Sequence, residues 1–231
     1  FFIVEMGARH KGDIAFLCKL VGVDYGILTP VGKCHIETFK SLENVEKTKF
    51  ELCENVKNFV VINGKSDSNL KLYENCEKKK YLICTNESFA YATGVQVKDL
   101  KTFFTLHIDK TKIEVSTSLF GKCNVDNIIV ASALAYLLGV NLLDIKKGIE
   151  SLKPIPHRLE LIKGYAYVLD DSYNSNFSGF KQALDVLSNF KGKKILVTPG
   201  MVELGREQFE LNYQIAKNMA KVCDEIVVMN K

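Results

Sequence analysis

The sequence predicts an α/β fold of two successive domains, each a parallel sheet covered by helices, and three observations carry that reading. Short apolar runs alternate with stretches of helical periodicity. The alternation is interrupted between about residues 93 and 120 by strand-like segments in a row. It restarts beyond Lys153-Pro154-Ile155-Pro156, where a helix cannot continue because each proline removes an amide donor and holds its predecessor extended. The boundary is therefore expected between domains of residues 1–153 and 154–231.

In the first domain, the apolar runs 1–4, 25–28, 59–62 and 81–84 read as buried strands. Helical patterns at 13–21, 41–56 and 68–76 separate them, giving the β-α-β series that builds a parallel sheet. Val95 and Val97, then 103–108, then Ile113, Val115, Thr117 and Leu119 are expected to add an antiparallel edge. Asn124 is expected to cap an apolar helix running to about residue 138, followed by a second helix from about 142 to 152. In the second domain, strands at 165–169, 194–198 and 225–229 enclose helices at 178–190 and 207–222. The series begins and stops abruptly with strand-like runs, so the chain reads as a fragment at both ends.

Composition removes several classes of function. The net charge of +4 is spread over 31 basic and 27 acidic residues without a long basic block, so nucleic acid is not expected as a partner. Seven cysteines without a Cys-x-x-Cys pair argue against a disulfide framework and a zinc ribbon, and fit a reducing cytoplasm. No apolar run approaches the roughly 18 residues of a membrane span.

The candidate chemistry begins with a lysine in an apolar stripe. Leu42, Val45, Lys49, Leu52 and Val56 recur at steps of three and four, the spacing of one helix face. A lysine forced into such a setting loses hydration of its charge and becomes a nucleophilic amine, able to capture carbon dioxide as a carbamate. The carbamate is an anionic oxygen ligand suited to magnesium. The other reading is a snorkelling lysine whose stem covers apolar surface while its amine reaches water. His35, with Glu37 two residues on, follows the second strand at the mouth of the expected sheet, and Glu5 ends the first. Two glycine-bearing segments are decoys. Gly7 and Gly12 have phosphate-loop spacing, but Asp13 and Ile14 stand where Lys and Ser/Thr are needed, while Gly64-Lys65-Ser66 lacks the first glycine, Phe59 being there instead. No Gly-x-Gly-x-x-Gly is present, which counts against dinucleotide binding. The polar run from Asp170 to Asn176 after an apolar strand can bind a ribose or phosphate, or simply build a turn.

Six spaced motifs occur in the order of the Mur ligases: Glu5-Met6-Gly7-Ala8-Arg9, His35-Ile36-Glu37, Lys47-Thr48-Lys49-Phe50-Glu51, Asn124-x-x-Asn127, His157-Arg158-Leu159-Glu160 and Asp171-Ser172-Tyr173-Asn174-Ser175-Asn176. The chain resembles that family, the ATP-dependent amide-bond ligases of peptidoglycan precursor synthesis, along nearly its whole length. The first and last motifs look like the branch that adds D-alanyl-D-alanine to UDP-N-acetylmuramoyl-tripeptide (UDP-MurNAc-tripeptide) through an acyl phosphate. The resemblance implies a partial P-loop-type central ATPase domain followed by a partial Rossmann-like carboxy-terminal domain. It implies ATP and Mg2+ as cofactors, with Glu5, His35 and Lys49, as its carbamate, holding the metal and serving catalysis. Asn124 would be a cofactor-binding residue, Asn127 would contact the adenine end of ATP, Arg158 its phosphates and Asp171 its ribose, with Tyr173 and Asn174 beside the nucleotide or the incoming amine. A monomer is expected, without a membrane partner. Departures are visible: Lys122 and Cys123 replace an arginine and a histidine, Phe177 replaces a proline, and Pro199-Gly200-Met201-Val202-Glu203-Leu204-Gly205 lacks an aspartate. The family's phosphate loop is not among these residues, so the chain alone is expected to be inactive. The alternatives are another amide ligase of the superfamily, such as a folylpolyglutamate synthase, and a non-catalytic nucleotide-binding or scaffold descendant.

Overall fold

The computed structural model describes residues 1–32, 36–173, 176–202, 204 and 207–229, apart from the side chains of Ile36 and Glu37. The first elements are α1 (Asp13–Val21), β1 (Tyr25–Leu28), α2 (Ile36–Phe39), α3 (Leu42–Asn55), β2 (Phe59–Asn63), α4 (Asp67–Asn75) and β3 (Lys79–Ile83). Then come β4 (Ala90–Lys98), β5 (Lys101–Ile108), β6 (Thr111–Thr117), α5 (Lys122–Leu137) and α6 (Leu142–Ser151). The remainder is β7 (Glu160–Lys163), β8 (Tyr167–Asp170), α7 (Phe177–Ser188), β9 (Ile195–Thr198), α8 (Gln208–Val222) and β10 (Glu225–Val228).

A six-stranded sheet runs in simple order from β1 to β6. β1, β2, β3 and β4 are parallel, with Leu28 opposite Ile62 and Ile62 opposite Leu82. Two-residue connections then join β4, β5 and β6, a span only antiparallel strands can bridge. Asp99 and Leu100 both adopt positive φ, at 49° and 57°, the backbone of a tight hairpin turn. β9 and β10 pair in parallel, and β7 and β8 pair antiparallel as a separate ribbon.

Local chemistry sets the helix starts. Ser41, Ser66 and Asn176 accept from the amides of Asn44, Asn69 and Gly179, capping α3, α4 and α7. The chain divides into two compact units. One comprises residues 1–95, 104–115 and 126–148, and the other residues 96–103, 116–125 and 149–231. In the first, Ile14, Cys18, Val45, Cys53, Val56, Val60 and Ile62 form the core where α1 and α3 cover the sheet. In the second, Phe180, Leu184, Met201, Ile215 and Met219 form one cluster and Phe120, Leu159 and Val186 another. Each such side chain contributes about 1.5–3 kcal/mol on burial.

Four sequence expectations need correction. Residues 1–4 are not a strand: they join no ladder, and Phe1, Phe2 and Ile3 stand in solvent. Hydropathy marks a run that can be buried, but a strand also needs a neighbour for its backbone groups. Asn124 does not cap α5. The helix starts at Lys122 after Gly121, whose φ is 88°, and Asn124 sits inside the first turn with its Nδ2 donating to the Phe120 carbonyl at 2.7 Å. The strand expected at 165–169 is the return arm of a hairpin whose first arm, β7, was not anticipated. Its four residues are too short for alternation to register. Finally, the buried stripe of α3 is offset. Val45, Thr48, Glu51, Cys53 and Val56 are buried, while Leu42, Lys49 and Leu52 are half-buried, so Lys49 flanks the apolar face instead of interrupting it.

Candidate functional site

Two groups of expected site residues lie in the described structure, one in each compact unit. In the first, Glu5 leads into a turn ending at α1. Asp13 folds back on that turn, Oδ2 accepting from the amides of Arg9 and His10 at 2.8 Å each. These two donors hold its carboxyl below the ordinary 3.8. Gly12 has a φ of 94° and supplies no side chain to cap α1. The capping role passes to Glu51 of α3, whose Oε1 accepts from Gly12 N at 2.7 Å and Oε2 from Ala15 N at 3.0 Å. The turn borders an open concavity of about 410 Å³ lined by Gly7, Ala8, Arg9, His10 and Asp13.

Glu5 is exposed and makes neither an ion pair nor a hydrogen bond among the described residues. Lys49 is half-buried and likewise unpaired among them. His35 lies outside the described residues, as does the side chain of Glu37. No group of three His, Cys, Asp or Glu residues suited to a metal occurs among the described residues. Nearby, Asn69 ties the carboxyl ends of two strands together. Fully buried, it accepts from Val31 N at 3.0 Å and donates to the Thr29 and Asn63 carbonyls at 3.1 and 2.7 Å. It fixes the start of the segment leading toward His35.

In the second unit the antiparallel pairing of β7 with β8 brings the 157–160 and 170–173 motifs together, with Glu160 opposite Asp170. His157 Nδ1 lies 2.8 Å from Asp170 Oδ2, while Ser172 N donates to Asp170 Oδ1 at 3.0 Å. Hydrogen bonds from Ser172 and then His157 hold the Asp170 carboxyl below its ordinary value. Asp171 is pushed the other way by desolvation, although its Oδ1 accepts from Leu159 N at 3.1 Å. Tyr173 N donates to the His157 carbonyl at 3.1 Å, and the Arg158 guanidinium lies 4.2 Å from the centroid of the Tyr173 ring. His157 and Leu159 take positive φ of 65° and 49°, a backbone held by these bonds. An electron-rich ring fixes a guanidinium without consuming its N–H donors, which stay available to an anion.

Asn127 is exposed on α5, whereas the Asn124 amide is already spent on Phe120. Cys123 is bound twice by Gln182: its amide donates to Oε1 at 3.1 Å, and Gln182 Nε2 lies 2.9 Å from its Sγ. Asn174 lies outside the described residues. Sequence reasoning missed the roles of Glu51, Asp13, Asn69 and Gln182. Of these, only Glu51 gave a signal, as the last residue of a quoted motif. Cys18, Cys53, Cys76, Cys84, Cys123 and Cys223 are free thiols. Among the described residues no helix is long and apolar enough to cross a membrane.

With the fold and these two groups in view, comparison with known proteins settles the family. The pattern of the Mur ligase middle domain matches residues 1–135, and that of the Mur ligase glutamate ligase domain matches residues 157–231. The chain belongs to the Mur ligase family. It is 32% identical over 233 aligned residues to the UDP-N-acetylmuramoyl-tripeptide--D-alanyl-D-alanine ligase of Buchnera aphidicola, covering 94% of this chain and 50% of that protein. The ligase of the same name from Escherichia coli K12 is 30% identical over 224 residues, again covering 94% of this chain and 50% of the relative. Among solved structures, MurF ligase of Thermotoga maritima in complex with ADP superposes with a TM-score of 0.84 at 26% identity, covering 97% of this chain and 53% of that one. The chain thus spans about half the length of the relatives it matches.

Proposed function

We propose that this chain provides nucleotide-handling and amine-side residues of an ATP-dependent amide ligase that joins D-alanyl-D-alanine to UDP-MurNAc-tripeptide. The observation that carries the proposal is the stitched 157–173 hairpin. It holds Arg158 on Tyr173 within electrostatic reach of Asp171, pins one Asp171 oxygen, and leaves the Arg158 guanidinium and the other Asp171 oxygen without a hydrogen bond among the described residues. Relatives matching along 94% of the chain bear the name of that activity, and a structural neighbour at 26% identity was solved with ADP. This favours the D-alanyl-D-alanine branch over a folylpolyglutamate synthase or a scaffold.

In this reading ATP phosphorylates the terminal carboxylate of the tripeptide. The dipeptide amine then attacks the acyl phosphate and expels inorganic phosphate. Arg158 binds phosphate oxygens, Asp171 accepts from a ribose hydroxyl, and Asn127 meets adenine. Asn124 shapes the start of α5 beside it, and Tyr173 and Asn174 border the nucleotide or the amine. Glu5, His35 and Lys49 as its carbamate would hold magnesium. The exposed Glu5 carboxylate and the half-buried Lys49 amine, neither paired among the described residues, fit that role. The ion would offset charge on the transferring phosphoryl group. Residues 1–153 would be the central ATPase domain and 154–231 part of the carboxy-terminal domain. Free cysteines support work in a reducing cytoplasm, and we take the protein to be monomeric.

Phosphate release by the full-length protein tests the assignment. It should require ATP, the tripeptide nucleotide and D-alanyl-D-alanine together, and yield the pentapeptide mass. Release that ignores the dipeptide would overturn it.

A further inference from the structure

α1 has no cap of its own: Gly12 brings no side chain, and Asp13 is turned back onto Arg9 and His10. Its first-turn amides are satisfied from another helix by Glu51, 7% exposed and paired with no cation among the described residues. A buried carboxylate without a counter-charge is costly unless oriented donors repay its lost hydration. Here the donors are Gly12 N and Ala15 N at the positive end of a helix. The arrangement is more than a cap, because of what each partner carries. The irregular segment that starts at Glu5 bends and turns at residues 9–12 to end at Gly12, and Glu51 lies two positions beyond Lys49. Two residues are about 200° of helical turn, so Glu51 does not touch the Lys49 side chain and acts through the shared helix backbone.

We propose that Glu51 is a positioning residue of the phosphoryl-transfer site, clamping the turn that follows Glu5 to the helix that carries Lys49, so that ligands from two separate elements keep one spacing. This rests on the function proposed above. Glu51 touches neither nucleotide nor metal. It removes a freedom that metal binding would otherwise have to restrict, and substitutions of residues that orient ligands typically cost about 10-fold to 100-fold in metal affinity.

The test is titration of the full-length protein with Mn2+ in the presence of ADP, followed by electron paramagnetic resonance, alongside ADP affinity without metal and thermal melting. Glu51→Gln should weaken Mn2+ binding about 10-fold or more, while metal-free ADP affinity stays within about twofold. Glu51→Asp, which keeps the charge one methylene shorter, should fall between, and takes over the test if the glutamine variant does not fold. Ser41→Ala loosens the same helix at its far end and should leave Mn2+ affinity unchanged. Equal loss in Ser41→Ala, or unchanged Mn2+ affinity in both Glu51 variants, overturns the clamp while leaving the ligase reading intact. Failure of the unsubstituted protein to bind ADP and Mn2+ overturns the ligase reading itself.

Discussion

The turn before α1 and the hairpin around β7 and β8 both rest on carboxylates that accept backbone N–H groups, but they are held at different ranges. Glu51 reaches Gly12 and Ala15 across 39 and 36 positions of sequence, from inside the core. Asp170 and Asp171 reach Ser172, His157 and Leu159 across 2, 13 and 12, with His157 largely in water. Water can substitute for a lost partner in the hairpin and cannot easily do so at Glu51. Substitution at the first turn should therefore show in stability as well as in metal affinity, and substitution in the hairpin mainly in nucleotide binding.

The largest effect is expected at Lys49, in the full-length protein. Lys49→Ala should cost about 100-fold or more in turnover with the fold retained, as for loss of one positioned electrostatic stabiliser. Lys49→Met should fall equally. Near-normal turnover in Lys49→Met would return this residue to a snorkelling role, and with it the first turn to a purely structural one.

Next comes Glu51→Ala, which strands two amides at the start of α1 and should lower unfolding free energy by about 2 kcal/mol in urea titrations. A loss under about 0.5 kcal/mol would show water entering and erase the contrast between the turns. Tyr173→Leu removes a cation–π contact of about 0.5–1 kcal/mol. It should raise the KM for ATP about threefold while the melting temperature holds, and a shift in melting without one in KM would reverse the expected split.

The smallest effect belongs to Asp170→Asn, about 0.2–1 kcal/mol for a partly exposed pair. Its sign with pH is fixed. The folded carboxyl titrates below its ordinary 3.8, so its contribution is complete above that value and is lost as pH falls through the lower folded value. Acid titrations of Asp170→Asn should lack that component below about pH 4, and an identical acid limb in both proteins would dismiss the pair as a stabiliser.

These contrasts also show what hydropathy and spacing could and could not reveal. α1 is expected at 13–21 and found at Asp13–Val21, because its periodicity is strong and glycines bracket it. The α3 face is misread by hydropathy because two polar residues are buried by bonds that composition does not record. Thr48 Oγ1 donates to the Asn44 carbonyl at 2.8 Å, and Glu51 is bound to α1. Residues 1–4 show the converse error, an apolar run with no ladder to join. Lys49 stands out by its place in the apolar stripe and Arg158 by motif resemblance. Asn69, Glu51 and Gln182 do not, because each acts on backbone distant in sequence, and no local pattern announces a partner 38, 39 or 59 positions away.

β2 has all five residues buried and parallel neighbours on both sides. Parallel strands cannot meet until the chain between them has been wound into a crossover, so β2 can join β1 only with α3 formed or forming, and β3 only with α4. β2, one strand in from the edge, is thus a well-protected strand of the first unit and among the last to acquire its partners. During folding Val60, Val61 and Ile62 must pass through a stage with both edges unpaired, which makes this five-residue segment the one most in need of rapid helix formation around it, or of a chaperone.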